Sequence, residues 1–198
     1  MAAGLPEWFH PGPPGGWTAD MLDHLPPGAP RHVELIDSSL LVWPPQTGFH
    51  LLAVDLLTFS LAPPGDLVVA REMTVTLGER QRPRPDVLLV DASAFTLAAT
   101  TFQPADVHLA VEVASAESLE LDRTTKPIKY AAAGIRHFWR VERQEDDRPV
   151  VHTFELEPAT RTYVPTGVHR DRLRTYLGFP VDLDLDLTAV RRRPTPGR

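Results

Sequence analysis

The sequence predicts an α/β fold with a central sheet flanked by helices, and three features carry that expectation. Residues 86–90 and, Glu112 apart, residues 108–113 become continuous apolar runs after their first residues, the pattern of strands covered on both faces. Residues 49–61 place apolar side chains at 49, 51, 52, 54, 56, 57, 59 and 61, and the length favours a buried helix over a strand. Residues 124–133 read as a second helix, with Gly134 placed to end it.

The remaining elements follow in order. Residues 1–30 form a Pro/Gly-rich segment, with a short helix at 18–25 that Thr18 caps. Residues 32–36 and 40–43 are apolar runs around Asp37-Ser38-Ser39, a hairpin pattern. Pro63-Pro64-Gly65-Asp66 is a turn, 67–70 and 73–77 are strands, and a basic loop at 80–84 leads into the run from Asp86. Further strands are expected at 138–141, 150–155 and 162–164, and the strict alternation of 182–187 predicts a half-exposed strand. No internal repeat and no domain linker stand out. The expected division is a segment 1–30, one domain 31–190 and a disordered basic tail 191–198.

Composition narrows the function classes. With 198 residues, 42% hydrophobic and 23% charged, the chain has the make-up of a soluble globular protein with a buried core. No apolar run approaches the roughly 20 residues that span a bilayer, and residues 1–16 lack the basic and apolar regions of a signal peptide. The absence of cysteine excludes disulfides, thiolate zinc sites and a Cys nucleophile, and fits a cytoplasmic location. A net charge of −6 argues against a broad non-specific DNA surface, but not against a carboxylate metal site, whose cation supplies local positive charge.

Three segments point to chemistry. Asp86, at the mouth of an apolar strand, is costly there unless exposed, hydrogen-bonded or metal-bound; a turn Asp after Pro85 is the plainer alternative. Glu112 lies among apolar residues in Leu109-Ala110-Val111-Glu112-Val113, where a carboxylate needs a partner, either a site or an arginine. Asp122, Lys126 and Tyr130 share one helix face at i, i+4 and i+8. Pro127 places the regular helix start near Thr124 or Thr125.

Together these segments resemble a known family. The runs RPRPDVLLVD, LAVEVASAESLELDRTTKPIKYAAAGIRHFWRVE and HVELIDSSLLVWPPQTGFH are similar to those of the Uma-two family of restriction-endonuclease-like proteins, a branch of the PD-(D/E)XK nuclease superfamily. The resemblance covers residues 31–190 and implies a restriction-endonuclease-like mixed central sheet flanked by helices. It implies a metal-dependent endonuclease acting on DNA, with Mg²⁺ or Mn²⁺ as cofactor, double-stranded DNA as partner and a homodimer as a further expectation. Asp86, Glu112 and the Val113 carbonyl would be metal ligands. Ala114 stands where the family pattern usually carries lysine, so Lys126 would supply the catalytic amine. Glu34 and His50 would flank the site, and Ser115, Asp122 and Tyr130 would support it. Ser38-Ser39 in place of a glycine, the residues before His50, and Pro127 directly after Lys126 depart from the family pattern.

Chemically, two carboxylates on neighbouring strands suit a hard cation, and a lysine beside them can orient water and stabilise phosphoryl oxygens. Other constellations are weaker. The histidines lack zinc spacing, Ser115 lacks a nucleophile-elbow motif, and Gly12–Gly16 is no phosphate loop. The tryptophans at 8, 17, 43 and 139 suit a core or an interface. Arg80, Arg82 and Arg84 are the candidates for backbone-phosphate contacts. The rival readings are a catalytically silent nucleic-acid- or protein-binding module with the same fold, and a structural partner in a dimer or toxin-like assembly.

Overall fold

The structure is a computed structural model that describes residues 12–25, 27–30 and 32–191. In chain order the elements are α1 (Ala19–Asp23), β1 (Val33–Ile36), β2 (Ser39–Val42), α2 (Gly48–Ser60), β3 (Leu67–Arg71), β4 (Thr74–Val75), β5 (Val87–Asp91), β6 (Thr101–Phe102), β7 (Val107–Val113), α3 (Leu119–Arg123), α4 (Thr125–Ala133), β8 (His137–Arg143), β9 (Pro149–Glu157), β10 (Thr162–His169), β11 (Arg172–Tyr176), β12 (Pro180–Asp184) and α5 (Leu187–Arg191).

Among the described residues the central sheet has the order β10-β9-β8-β7-β5-β3. β7 and β8 run parallel, and the other neighbouring pairs are antiparallel, so the sheet is mixed. A parallel pair needs a crossover connection, and α3 and α4 provide it. Because side chains alternate along a strand, β7 sends Leu109, Val111 and Val113 to one face and Ala110 and Glu112 to the other. The first face packs against Ala53, Leu56 and Leu57 of α2 and against Leu173, Val181 and Leu183 from the β11–β12 hairpin. The second, with Leu88, Val90 and Phe138, packs against Tyr130 of α4 and Ile135 just after it. That parity puts Glu112 under α4.

The β1–β2 hairpin turns on Asp37 and Ser38, both at positive φ (48° and 63°). This is the conformation that a two-residue hairpin turn demands, adopted here without glycine. The hairpin is anchored by paired backbone hydrogen bonds between Leu35 and Arg82 and by the Lys129 ammonium of α4, 2.5 Å from the Asp37 carboxylate. Thr47 caps α2 by accepting from the His50 amide at 3.3 Å, which aims His50 inward from the first turn.

Several expectations shift. Thr18 occupies the N-cap of α1 but its side chain makes no capping bond. The strand expected at 73–77 pairs only over Thr74–Val75, and the alternating strand ends at Asp184, with Leu187 opening α5. The α3 helix, the short β6 and the charged β11 carry too little periodicity to stand out in the sequence. The disordered tail expected from residue 191 falls outside the described residues beyond Arg191, as do residues 1–11 of the Pro/Gly-rich segment. Among the described residues no helix is long and apolar enough to cross a membrane.

Two outcomes test this packing. Trp139 is 1% exposed in the core between the sheet and α2. Trp139→Ala should lower the urea-unfolding free energy by about 3–5 kcal/mol. At the start of the same strand, burial holds the His137 imidazole down at about 4, below its ordinary 6.5. The unfolded chain binds that proton first, so this contribution to stability is present above pH 6.5 and lost as pH falls toward 4. His137→Phe should flatten the stability profile across that window, read by denaturant titration at successive pH values.

Candidate active site

Lys126 lies in the first turn of α4 with its side chain only 3% exposed. Its ammonium stands 2.9 Å from Glu112 Oε2, 3.2 Å from both Glu34 carboxylate oxygens and 3.2 Å from Asp122 Oδ1. Three segments distant in sequence thus meet at one charge: the β1 hairpin strand, β7 and the α3–α4 pair. The Trp43 ring adds a face whose centroid is 5.8 Å from the ammonium, within cation–π range.

The local backbone explains how Lys126 reaches this place beside Pro127. Thr124, with φ −120° and ψ −64°, breaks the chain between α3 and α4. Pro127 then becomes the third residue of a new helix, where its missing N–H has no partner to lose. Asp122 stays on the preceding turn and still faces Lys126.

Each acidic group has its own supports. Glu112 Oε1 accepts from the Tyr130 hydroxyl at 2.5 Å, one turn along α4 from Lys126. Asp122 Oδ2 accepts from Ser118 Oγ at 2.6 Å, and the Ser115 hydroxyl in turn accepts from the Ser118 amide at 3.1 Å. Asp86 stands at the entry to β5, where its amide donates to the Val111 carbonyl at 3.0 Å. Its Oδ2 accepts from the Val113 amide at 2.6 Å, and its side chain is 18% exposed, the open edge of the cluster.

His50 bridges the remaining donors. Its Nδ1 lies 3.2 Å from the Val113 carbonyl oxygen and its Nε2 lies 3.1 Å from Asp86 Oδ1. Both ring nitrogens face oxygen acceptors, so the ring satisfies both only as an imidazolium. Burial pulls that pKa down, but the Asp86 carboxylate more than offsets it, and the ring titrates above its ordinary value.

Acid exceeds base here. Four carboxyl groups (Glu34, Asp86, Glu112 and Asp122) stand around one lysine and one histidine. Burial raises the carboxyl groups of Glu34, Glu112 and Asp122, with mutual repulsion adding to it and Lys126 opposing it. Burial also works against the Lys126 ammonium, but Glu112, Glu34 and Asp122 outweigh it and hold its pKa well above the ordinary value. The lysine is therefore charged at any physiological pH.

The donor set can be tested against a divalent cation. Among the described residues no three His, Cys, Asp or Glu side chains form a ready-made metal cluster. Carboxylate and carbonyl oxygens nonetheless suit Mg²⁺ or Mn²⁺, which are bound through one or two carboxylates and retain waters. Each carboxylate oxygen has two acceptor positions, so the contacts of Lys126, Tyr130 and His50 leave coordinating capacity on Glu112, Asp86 and the Val113 carbonyl. Glu34 Oε2 and Asp122 Oδ1 are buried and have the Lys126 ammonium, 3.2 Å from each, as their ion-pair partner, so four carboxyl groups are gathered around a single lysine. The residues fit the ion.

All nine residues singled out in the sequence gather around this cluster, Ser115 at one remove through Ser118. Ser118 and Trp43 were not picked out as site residues. Ser118 had a signal, standing four residues before Asp122 on the same turn-to-turn line. Trp43 had none beyond its place after the hairpin. The arginine loop is a correction: Arg82 is buried and spends its guanidinium on Asp23 at 2.7 Å and the Ala19 carbonyl at 3.0 Å. Arg84 is turned onto Glu72, leaving Arg80 as the exposed member.

Comparison with known proteins gives the chain its family. The family model "Uma2: Putative restriction endonuclease" matches residues 19–188. The chain belongs to this family. Among solved structures, the Uma2 chain is similar to one described as "a putative nuclease belonging to DUF820" from Anabaena variabilis ATCC 29413, with a TM-score of 0.64 and 18% sequence identity. The match covers 87% of this chain and 98% of the other, and at that identity it speaks to the fold. No curated protein matches the chain.

One outcome follows from the buried charge. Removing the ammonium leaves three carboxylates buried without their counter-ion, so Lys126→Ala should lose about 3–5 kcal/mol of stability in urea. Adding Glu112→Gln to that variant should recover part of the loss, the sign of direct coupling in a double-mutant cycle.

Proposed function

We propose that the chain is a metal-dependent endonuclease that hydrolyses phosphodiester bonds in DNA. The observation that carries this reading is the convergence of Asp86, Glu112 and Lys126 at one end of the central sheet, with the lysine 2.9 Å from Glu112 and Asp86 at the open edge. Membership of the Uma2 family supports the same class of activity.

In this reading Asp86, Glu112 and the Val113 carbonyl would hold Mg²⁺ or Mn²⁺. When bound, the ion activates a water and offsets charge on the phosphoryl oxygens. The chain's own groups do the rest. Tyr130 fixes the Glu112 carboxylate, and His50 holds Asp86 against Val113. Glu34 and Asp122 hold Lys126 in its charged state, where it can stabilise charge that grows on the phosphoryl oxygens and orient the attacking water. A preorganised donor of this kind is worth more in a water-poor site than in solution.

Purified protein incubated with supercoiled plasmid and Mg²⁺ or Mn²⁺ should nick or linearise it, and EDTA should abolish the reaction. Asp86→Asn keeps the size of a part-exposed side chain and should reduce cleavage on the order of 10²-fold or more. Lys129→Ala, which removes only the contact to Asp37 at the hairpin turn, should cut like wild type. No cleavage by wild type with either metal, or undiminished cleavage by Asp86→Asn, would replace this reading with that of a catalytically silent binding module.

A further inference from the structure

Beside the carboxylate cluster, on the same face of the sheet, lies a groove of about 410 Å³ between α4 and strands β8 to β10. Three arginines from separate segments line it: Arg123 at the end of α3, Arg140 on β8 and Arg161 in the turn between β9 and β10. Arg140 is the in-register neighbour of Glu112 across the parallel β7–β8 pair. Neighbouring strands are about 4.8 Å apart, so the groove begins one strand away from the candidate active site.

The guanidinium groups are arranged, not scattered. Glu142 accepts from Arg123 at 2.9 and 2.5 Å and from Arg140 at 2.6 Å, holding the two side by side. The Arg140 guanidinium lies over the Phe154 ring at 5.6 Å, which sets its plane. Arg161 sits at φ 52°, a conformation that side chains other than glycine rarely adopt, and its guanidinium reaches the Ala132 carbonyl at 3.2 Å. Two of the guanidiniums share the Glu142 carboxylate and Arg161 adds a third to the same groove, a cluster of basic groups in a chain whose net charge is −6. Ile128 of α4, 66% exposed, forms an apolar wall to the same groove.

We propose that this groove binds the phosphodiester backbone of the DNA whose cleavage is proposed above, the guanidiniums contacting phosphates and Ile128 contacting the sugars. This rests on the nuclease reading for the identity of the polyanion. The assignment replaces the loop at residues 80–84, where the Arg82 and Arg84 side chains are only 5% and 16% exposed, against 46% for Arg123. Arg140, with a side chain only 12% exposed, orients the set, while Arg123, 46% exposed, and the exposed Arg161 face solvent.

The test is binding of a labelled DNA duplex by the full chain, followed by fluorescence anisotropy in EDTA over a series of salt concentrations. Arg123→Ala/Arg161→Ala should weaken binding about tenfold or more and reduce the slope of log K against log salt by about 2. A control, Arg136→Ala/Arg174→Ala, removes the same charge from exposed positions off the groove and should bind like wild type. Ile128→Glu breaks no ion pair and should also weaken binding, so the answer does not depend on the arginine variant folding. Unchanged affinity and slope in the groove variants would make the arginines a structural ion-pair network and overturn the proposal, whatever the plasmid assay gives. Groove-dependent binding without cleavage would sustain this surface and sink the nuclease. Absence of both binding and cleavage in wild type would overturn both.

Discussion

The ammonium of Lys126, surrounded by Glu34, Glu112 and Asp122 with the Trp43 ring beside it, joins the β1–β2 hairpin, the central strand β7 and the α3–α4 pair at one point. The β1–β2 hairpin is not a member of the central sheet. Its turn is tied by backbone bonds from Ser38 to Arg80 and from Trp17 to Ser38, by Gln81 and by Lys129, and its first strand by the Leu35–Arg82 bridge and by Glu34 on this ammonium. An apolar replacement of the whole cluster would be neutral or more stable on general grounds, because burying ions costs more desolvation than pairing commonly returns. A fold that keeps four carboxylates at one sheet end has given up core stability there. The outlay makes physical sense where those groups act on something brought from outside.

Position in the sheet explains why the groups can converge. β7 is central, and alternation puts Glu112 on the α4 face while Val113 faces α2. Its backbone therefore serves both sides: the Val113 amide holds Asp86, and the carbonyl holds His50 of α2. The break at Thr124 does comparable work on the helical side. One continuous helix through α3 and α4 would place Pro127 in its interior, where it would clash with the preceding turn. The two-helix solution keeps Asp122 and Lys126 an ion pair at i, i+4 across the joint.

Much of this was legible in the chain. The apolar runs of β5 and β7, the long buried α2 and the Gly134 stop of α4 all carry their own physics in sequence. A lone Glu inside an apolar strand announced a partner, and the spacing of Asp122, Lys126 and Tyr130 announced one face. The roles of Glu34 and His50 came through family resemblance, because nothing local to either residue says which distant group it meets. Arginine was the least legible. A guanidinium in a loop reads the same whether it faces solvent or, like Arg82, closes a loop onto a helix through an Asp far upstream. The Arg123, Arg140 and Arg161 set has no motif, since its members, from a helix end, a strand and a turn, come together only in the fold.

The outermost strand β10 exposes Val164 and Val168, apolar side chains on an edge that could template pairing with another chain. Pro165 stands between them without an N–H to offer, and the register slips between Pro165 and Gly167. The row of backbone donors that an incoming strand would need is interrupted at its middle, and the bulge twists what remains. The irregular edge therefore works against strand-by-strand growth at β10, the route from one folded copy to an ordered aggregate.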